Sequence, residues 1–438
     1  MWITMQRPRL ELAVFLLSLL LVVFGYGILV GRYEFFPYSI LKFAQDSVQQ
    51  VFADKETILR LRPIEFLEPA RYAGNGILTW KKDQAVPGLT LLSGFFGDSN
   101  ELRLIRLDGT IVHRWPLNFS RIFPNTSHIL PAKAVPQTNW NVSVQGDMIL
   151  PDGSVIFNFT GKGTAKLDRC GDTEWTIPRM THHSIEPARG DTFWIPSARY
   201  VEHTPQYPHL RVPYFDETVL HVASDGTVLK EISVLDILHQ NHLEGFVLRD
   251  GVTDDITHLN DVEELSPSMA SRFPMFAAGD LLISMRFKSL VIVVDPETLV
   301  VKWYQAGPWI EQHDPDFLES GLIRLFSNNL DGTNTGVVFG GSSVLEVDPA
   351  TRRVQRDYGG RDDQPMYTME RGATQTLKGS NDHILVTESR AGRVFELNED
   401  REIVWEYLNR YDETSAALVS EAKRYPDDYF SVDDWTCP

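Results

Sequence analysis

Cysteine is nearly absent. Cys170 and Cys437 are the only two in 438 residues, which excludes a small disulfide-stapled fold and a cysteine-built metal knuckle. Their separation in the chain leaves open whether they pair. Positive charge is also short: 41 Lys and Arg against 59 Asp and Glu give a net charge of -18. That excludes a nucleic-acid surface built on phosphate contacts and argues against the body resting on anionic lipid. Long hydrophobic runs are limited to one. Otherwise the composition, 43% hydrophobic and 23% charged, is that of a folded chain.

That one run is LAVFLLSLLLVVFGYGILV, from Leu12 to Val30, with Ser18 and Tyr26 as its polar breaks. Its length is close to the roughly 20 residues that cross a bilayer as a helix. Arg7 and Arg9 precede it and Arg32 and Lys42 follow, leaning toward a cytoplasmic N-terminus. The expectation is a single-pass membrane anchor over 1–32, with the rest on the periplasmic or extracytoplasmic side. A cleaved signal peptide is the alternative. Beyond it, Leu41, Ala44, Val48, Val51 and Phe52 share one face after a possible N-cap at Ser39. This spacing predicts a short amphipathic helical stalk within a 33–75 linker.

From about residue 76 the texture changes to short strands between turn residues, and it repeats. The clearest unit is GATQTLKGSNDHILVTESRAGRVFELNEDREIVWEYLN, 372–409. The same order recurs at 279–307, 146–178 and 322–360, and more loosely at 88–117 and 182–234. One such unit leaves a sheet face wet, so the units must stack radially and close. The reading is all-β: a six-bladed β-propeller over 76–410, then an acidic, aromatic tail over 411–438. Ala416, Val419 and Ala422 predict a short helix over 412–425. Tyr429 and Trp435 are placed to dock the tail or complete a blade. The insert at 198–216, with His203, Tyr207, His209 and Tyr214 among prolines, reads as a lid or as a stiffened interblade loop.

Of 12 histidines, His183, His258 and His313 precede the innermost strand of their units. Polar residues entering that strand face the channel, where blades converge. Converging imidazoles suit metal binding or acid–base and nucleophilic chemistry. Arg286, in LLISMRFKS, lies within the unit opened by His258 and could bring an anion-binding guanidinium to the same mouth.

The combination HHSIEP, HLNDVEE, ISMRF, QHDPDFLESGLIRLFSNN and GATQTL…VTESRAGRVFELNEDREIVWEY resembles the PAPS-independent arylsulfate sulfotransferases over roughly 80–410. The resemblance implies a six-bladed periplasmic propeller passing a sulfuryl group from an aryl sulfate to a phenolic or other hydroxyl acceptor. It implies His313 as the nucleophile that is transiently sulfurylated, and His258 and Asn260 gripping the sulfuryl group and the leaving oxygen. Arg286 would bind the sulfuryl oxygens, His183 or its neighbour His182 would be the remaining site histidine, and Thr374 a contact from the last blade. No cofactor, nucleotide or metal is implied. The expected partners are the small-molecule donor and acceptor and, through the first helix, a membrane. Two other readings use the same channel: a non-catalytic ligand-binding or scaffold propeller of the cell envelope, and a metal-dependent hydrolase or lactonase.

Overall fold

A computed structural model describes residues 7–33, 36–38, 62–204, 206–248, 254–333, 335–360, 366–380 and 382–437. They form two units, Met1–Ile64 and Glu65–Pro438. In the first, Arg7–Tyr33 is one α-helix of 27 residues. Within it, Leu10–Tyr33 is long and apolar enough to cross a membrane, and side chains such as Leu20, Val22 and Phe24 are exposed. The residues that carry the expected amphipathic stalk, Ser39 and Leu41 to Phe52, lie outside the described residues.

The second unit is a six-bladed propeller. Five blades open with their own inner strand: Val144–Ile149, the interrupted pair Met180–Thr181 and Glu186–Ala188, Leu259–Glu264, His313–Phe317 and Ala373–Thr376. Three further antiparallel strands follow each. The six repeats read from the sequence fall on these blades, because each repeat is one meander of neighbouring strands.

Middle strands such as Leu281–Met285 and Leu290–Val294 are buried throughout. Unbroken apolar runs suit strands covered on both faces, and alternate residues of one blade enter different cores. Leu281, Ile283, Leu290 and Ile292 pack against Val219 and Ile232 of the preceding blade. Leu282, Val291 and Val293 pack against Ile323 and Leu325 of the next. Equivalent clusters fill the other four gaps, including the one where Val394 and Trp405 of the last blade meet Leu92 and Val419 of the first.

That last contact closes the ring, and it corrects one expectation. The segment expected to form a helix over 412–425 is extended: Ser415–Ala417 pairs with Leu67–Pro69, and Val419–Tyr425 is the inner strand of the first blade. It lies antiparallel to Leu89–Phe96, with Ala422 opposite Leu92. Helix propensity is a weak preference that an unfilled sheet edge overrides. Gly76–Trp80 adds a fifth, outer strand to the last blade. The tail then crosses to the second blade, where Cys437 and Cys170 form a disulfide with a Cα–Cα distance of 5.6 Å. Tyr429 donates to the carbonyl of Ile149 at 2.8 Å, and Trp435 meets Trp115 edge-on.

The 198–216 insert is strand only at its two ends, within Thr192–Val201 and Tyr214–Ala223, and joins two neighbouring strands of one blade. Its loop packs Tyr207 and His209 against His239 of the helix Val234–Gln240.

Candidate functional site

Inner strands begin on one face of the ring, and the chain bends sharply there. His183, His258, Asp314 and Arg371 all have positive φ, between 50° and 60°, a costly conformation for non-glycine residues that concentrates at functional sites. Gly146 supports the first of these bends. A Cβ there would lie 1.5 Å from the carbonyl oxygen of His183, so only glycine admits that approach. Asn158, buried beside it, donates to the carbonyls of His183 and Ser184 at 3.0 and 3.3 Å.

The bends bring three imidazoles together. The ring centroid of His183 is 5.2 Å from that of His258 and 6.2 Å from that of His313. A small cavity is lined by His183, Asn260, His313, Asp314 and Arg371, among others.

His313 is held in a defined tautomer. The amide of Asn328 donates to the carbonyls of Thr368 and Arg371 at 2.9 and 2.8 Å, which fixes its oxygen toward His313 Nδ1, 2.7 Å away. An amide oxygen only accepts, so Nδ1 carries the proton and Nε2 the lone pair. That lone pair has one long contact, 3.3 Å from the amide of Arg371. Burial, reinforced by the charge of Arg286, holds the imidazole well below its ordinary pKa. It is a neutral nitrogen base in a cationic surrounding.

The other two imidazoles have carboxylate supports. His258 Nδ1 lies 2.5 Å from Asp255 Oδ2, and its backbone N–H donates to Asp255 Oδ1 at 3.0 Å. Burial opposes ionisation of Asp255, but these bonds hold its pKa below the usual carboxylate value. His183 Nδ1 meets His182 Nδ1 at 2.7 Å, and His182 Nε2 meets Glu217 Oε2 at 2.8 Å. Burial and the neighbouring imidazoles push His183 well down.

Arg286 sits in the turn leaving its strand, over the backbone of His258. Its guanidinium pairs with Glu311 at 2.5 Å and donates to Met369 O at 3.2 Å, while Nε is buried with no partner. Asn260 donates to Gln312 O at 2.7 Å and leaves its own oxygen unpartnered. Arg371 donates to Val144 O, Ser143 Oγ and Ser420 Oγ, each at 2.9 Å.

The structure therefore gathers His183, His258, His313, Arg286 and Asn260. Of these, His183, His313 and Asn260 line the cavity, whereas His258 and Arg286 stand beside it, and His182 lies behind His183, also outside the lining. Thr374 lies a step down the channel, its amide donating to Asp314 at 2.6 Å and its side chain lining a second cavity. Glu186, Glu263 and Asp316 also line that cavity beside Lys423. Burial raises these three carboxyls. Among the described residues, no group of three or more His, Cys, Asp or Glu is placed to hold a metal ion.

Sequence reasoning missed Asn328, Asp255, Glu217 and Arg371. Arg371 had a usable signal, because RGAT heads the last inner strand as His258 and His313 head theirs. The supports had none, being defined only by the folded register.

Among solved structures, a protein of unknown function from Bacteroides caccae is similar at 12% identity and TM-score 0.50, over 77% of this chain and 99% of that one. A streptogramin B lyase is similar at 12% identity and TM-score 0.42, over 82% and 98%. TolB from Acinetobacter baumannii is similar at 9% and 0.42, over 79% and 69%. At such identities the likeness concerns the fold alone, and the last two carry no argument. No curated protein matches the chain. A family model described as arylsulfotransferase (ASST) matches residues 146–410. That span covers four of the six inner strands and most of a fifth, with both imidazoles that line the cavity, and the chain belongs to the arylsulfotransferase family.

Proposed function

We propose that the protein transfers a sulfuryl group from an aryl sulfate to a phenolic or other hydroxyl acceptor, without PAPS, through a sulfohistidine at His313. The observation that carries this is the tautomer of His313: a buried, neutral imidazole that lines a cavity with Asn260 and Arg371, its Nε2 lone pair held by one long 3.3 Å contact from the amide of Arg371 and its charge state influenced by Arg286.

Nε2 attacks sulfur in line. The N–S bond forms as the aryl O–S bond breaks, its electron pair passing to the phenolate oxygen. Arg286, through the unpartnered Nε–H, and Asn260, through the second N–H of its amide, bind the sulfuryl oxygens, with His258 on the leaving oxygen. His183 protonates that oxygen and later takes the proton of the acceptor hydroxyl, whose oxygen attacks sulfur and releases Nε2. Glu311 pairs with Arg286, so the sulfuryl group would exchange one anion for another there.

The apolar N-terminal helix supports single-pass anchoring, and the Cys170–Cys437 bridge supports an oxidising, extracytoplasmic compartment for the propeller. Incubation with 4-nitrophenyl sulfate and phenol tests the activity. Nitrophenol release that requires phenol, persists in EDTA and disappears in His313→Ala is the expected result. Release that EDTA abolishes and phenol does not affect contradicts it.

A further inference from the structure

A neutral His183 raises a difficulty for the reaction just described. Burial and its imidazole neighbours keep it from holding an extra proton near neutrality, yet the leaving phenolate needs one. The chain behind it supplies the answer.

Glu217, His182 and His183 form an unbroken line of short hydrogen bonds, 2.8 Å and then 2.7 Å, with all three side chains buried. Two facing nitrogens at 2.7 Å share one hydrogen, since two would clash and none would leave lone pairs opposed. With Glu217 ionised and His182 neutral, His182 Nε2–H donates to Glu217 and its bare Nδ1 accepts from His183 Nδ1–H. His183 then shows a bare Nε2, a base. When a proton arrives at that Nε2, the hydrogen between the rings moves onto His182. His183 remains neutral but now shows Nε2–H, an acid, while the added charge rests on His182 against Glu217.

Resting on the sulfuryl-transfer reading, we infer that Glu217 and His182 are positioning residues forming a proton relay: they hold the proton that His183 gives to the departing phenolate and recovers from the acceptor hydroxyl. The balance closes over one cycle, because the proton given in the first half-reaction is the proton returned in the second. The surroundings favour this division of charge. His183 faces His258, His313 and Arg371, where a positive charge is unwelcome. His182 faces Glu217 and, farther off, Asp255. Burial alone would lower the His182 pKa, and the charge and hydrogen bond of Glu217 raise it instead. Burial also lifts Glu217, with the His182 interaction opposing. Gly146 and Asn158, which fix the backbone of His183, keep the rings in line.

The test compares donors whose leaving groups need protonation to different degrees. Sulfuryl-enzyme formation is followed by rapid quench and mass measurement, with 4-nitrophenyl sulfate and phenyl sulfate, in wild type, Glu217→Gln and Glu217→Asp. Glu217→Gln should react with 4-nitrophenyl sulfate within about threefold of wild type and with phenyl sulfate roughly a hundredfold more slowly, the scale of a lost general acid. Glu217→Asp should recover part of the phenyl sulfate rate. If Glu217→Gln does not fold by its melting curve, the donor-dependent loss is read from Glu217→Asp. An equal loss with both donors, or none, overturns the relay while leaving the transferase reading intact. A wild-type protein that forms no sulfuryl adduct with either donor overturns both.

Discussion

The proposed nucleophile and the proposed proton carriers differ in what stands behind them. His313 leans on an amide, whereas His258 and the His182–His183 pair lean on Asp255 and Glu217. A carboxylate favours imidazolium, which has no lone pair for attack on sulfur, while an amide fixes the tautomer without adding charge. Asn328→Asp tests this. The new carboxylate raises the His313 pKa, so the neutral fraction near pH 7 falls and recovers as pH rises through that value. Sulfurylation should slow by roughly 10- to 100-fold at pH 6.5 and approach wild type near pH 9. A pH-independent loss, measured by single-turnover rates, would contradict the assigned role. Of the three supports, Asn328 and Glu217 lie 15 and 35 residues from their histidines, and Asp255 only three. Position in sequence therefore carries no signature for them, although the histidines themselves stood out at the heads of strands.

At the scale of elements, the site is made by how inner strands start. In four blades a residue at or near that start, His183, His258, Asp314 or Arg371, takes a left-handed backbone angle, and Gly146 yields space for the first of them. Gly146→Ala forces the Val144–Ile149 strand and the His183 loop apart. The expected outcome is a melting temperature several degrees lower and a transfer rate reduced at least tenfold, from strained φ and a displaced histidine. Unchanged activity with unchanged stability would refute the requirement.

The repeats were legible because five meanders carry the apolar middle strands of a sheet covered on both faces. The closing strand was not. Glu421 and Lys423, which point from it toward the buried carboxyls of the channel, replace the apolar alternation with the composition of a polar helix. Asn158 shows the same limit. It stands in a glycosylation sequon, yet it is fully buried and used to hold His183.

At the scale of the molecule, the ring gathers buried carboxyls along its axis, around Lys423. Burial raises Asp147 to about 8, with Glu421 adding to the effect, and it lifts Asp261, Asp314 and Asp316 well above the ordinary value. Unfolded, these groups titrate near about 3.9. Above that, the folded state binds more protons than the unfolded one, so stability declines as pH rises through the folded values. Buried neutral histidines act in the opposite sense, but only below about pH 6.5, where the unfolded chain takes up their protons. Between pH 6.5 and 8.5 the carboxyls therefore govern, and His182 acts in the same direction. The melting temperature should fall across that window, and Asp147→Asn should flatten the fall. A melting temperature that rises from pH 6.5 to 8.5 would mean that the channel carboxylates are charged and compensated.

The central claim is that residues distant in the chain meet at one hub so that His313 can carry a sulfuryl group. Intact-mass measurement of the full-length protein after brief exposure to 4-nitrophenyl sulfate without acceptor tests this directly. The account predicts one added SO₃ per chain, mapped to the peptide containing His313, discharged by phenol and absent in His313→Ala. No adduct, or an adduct that persists in His313→Ala, would contradict it.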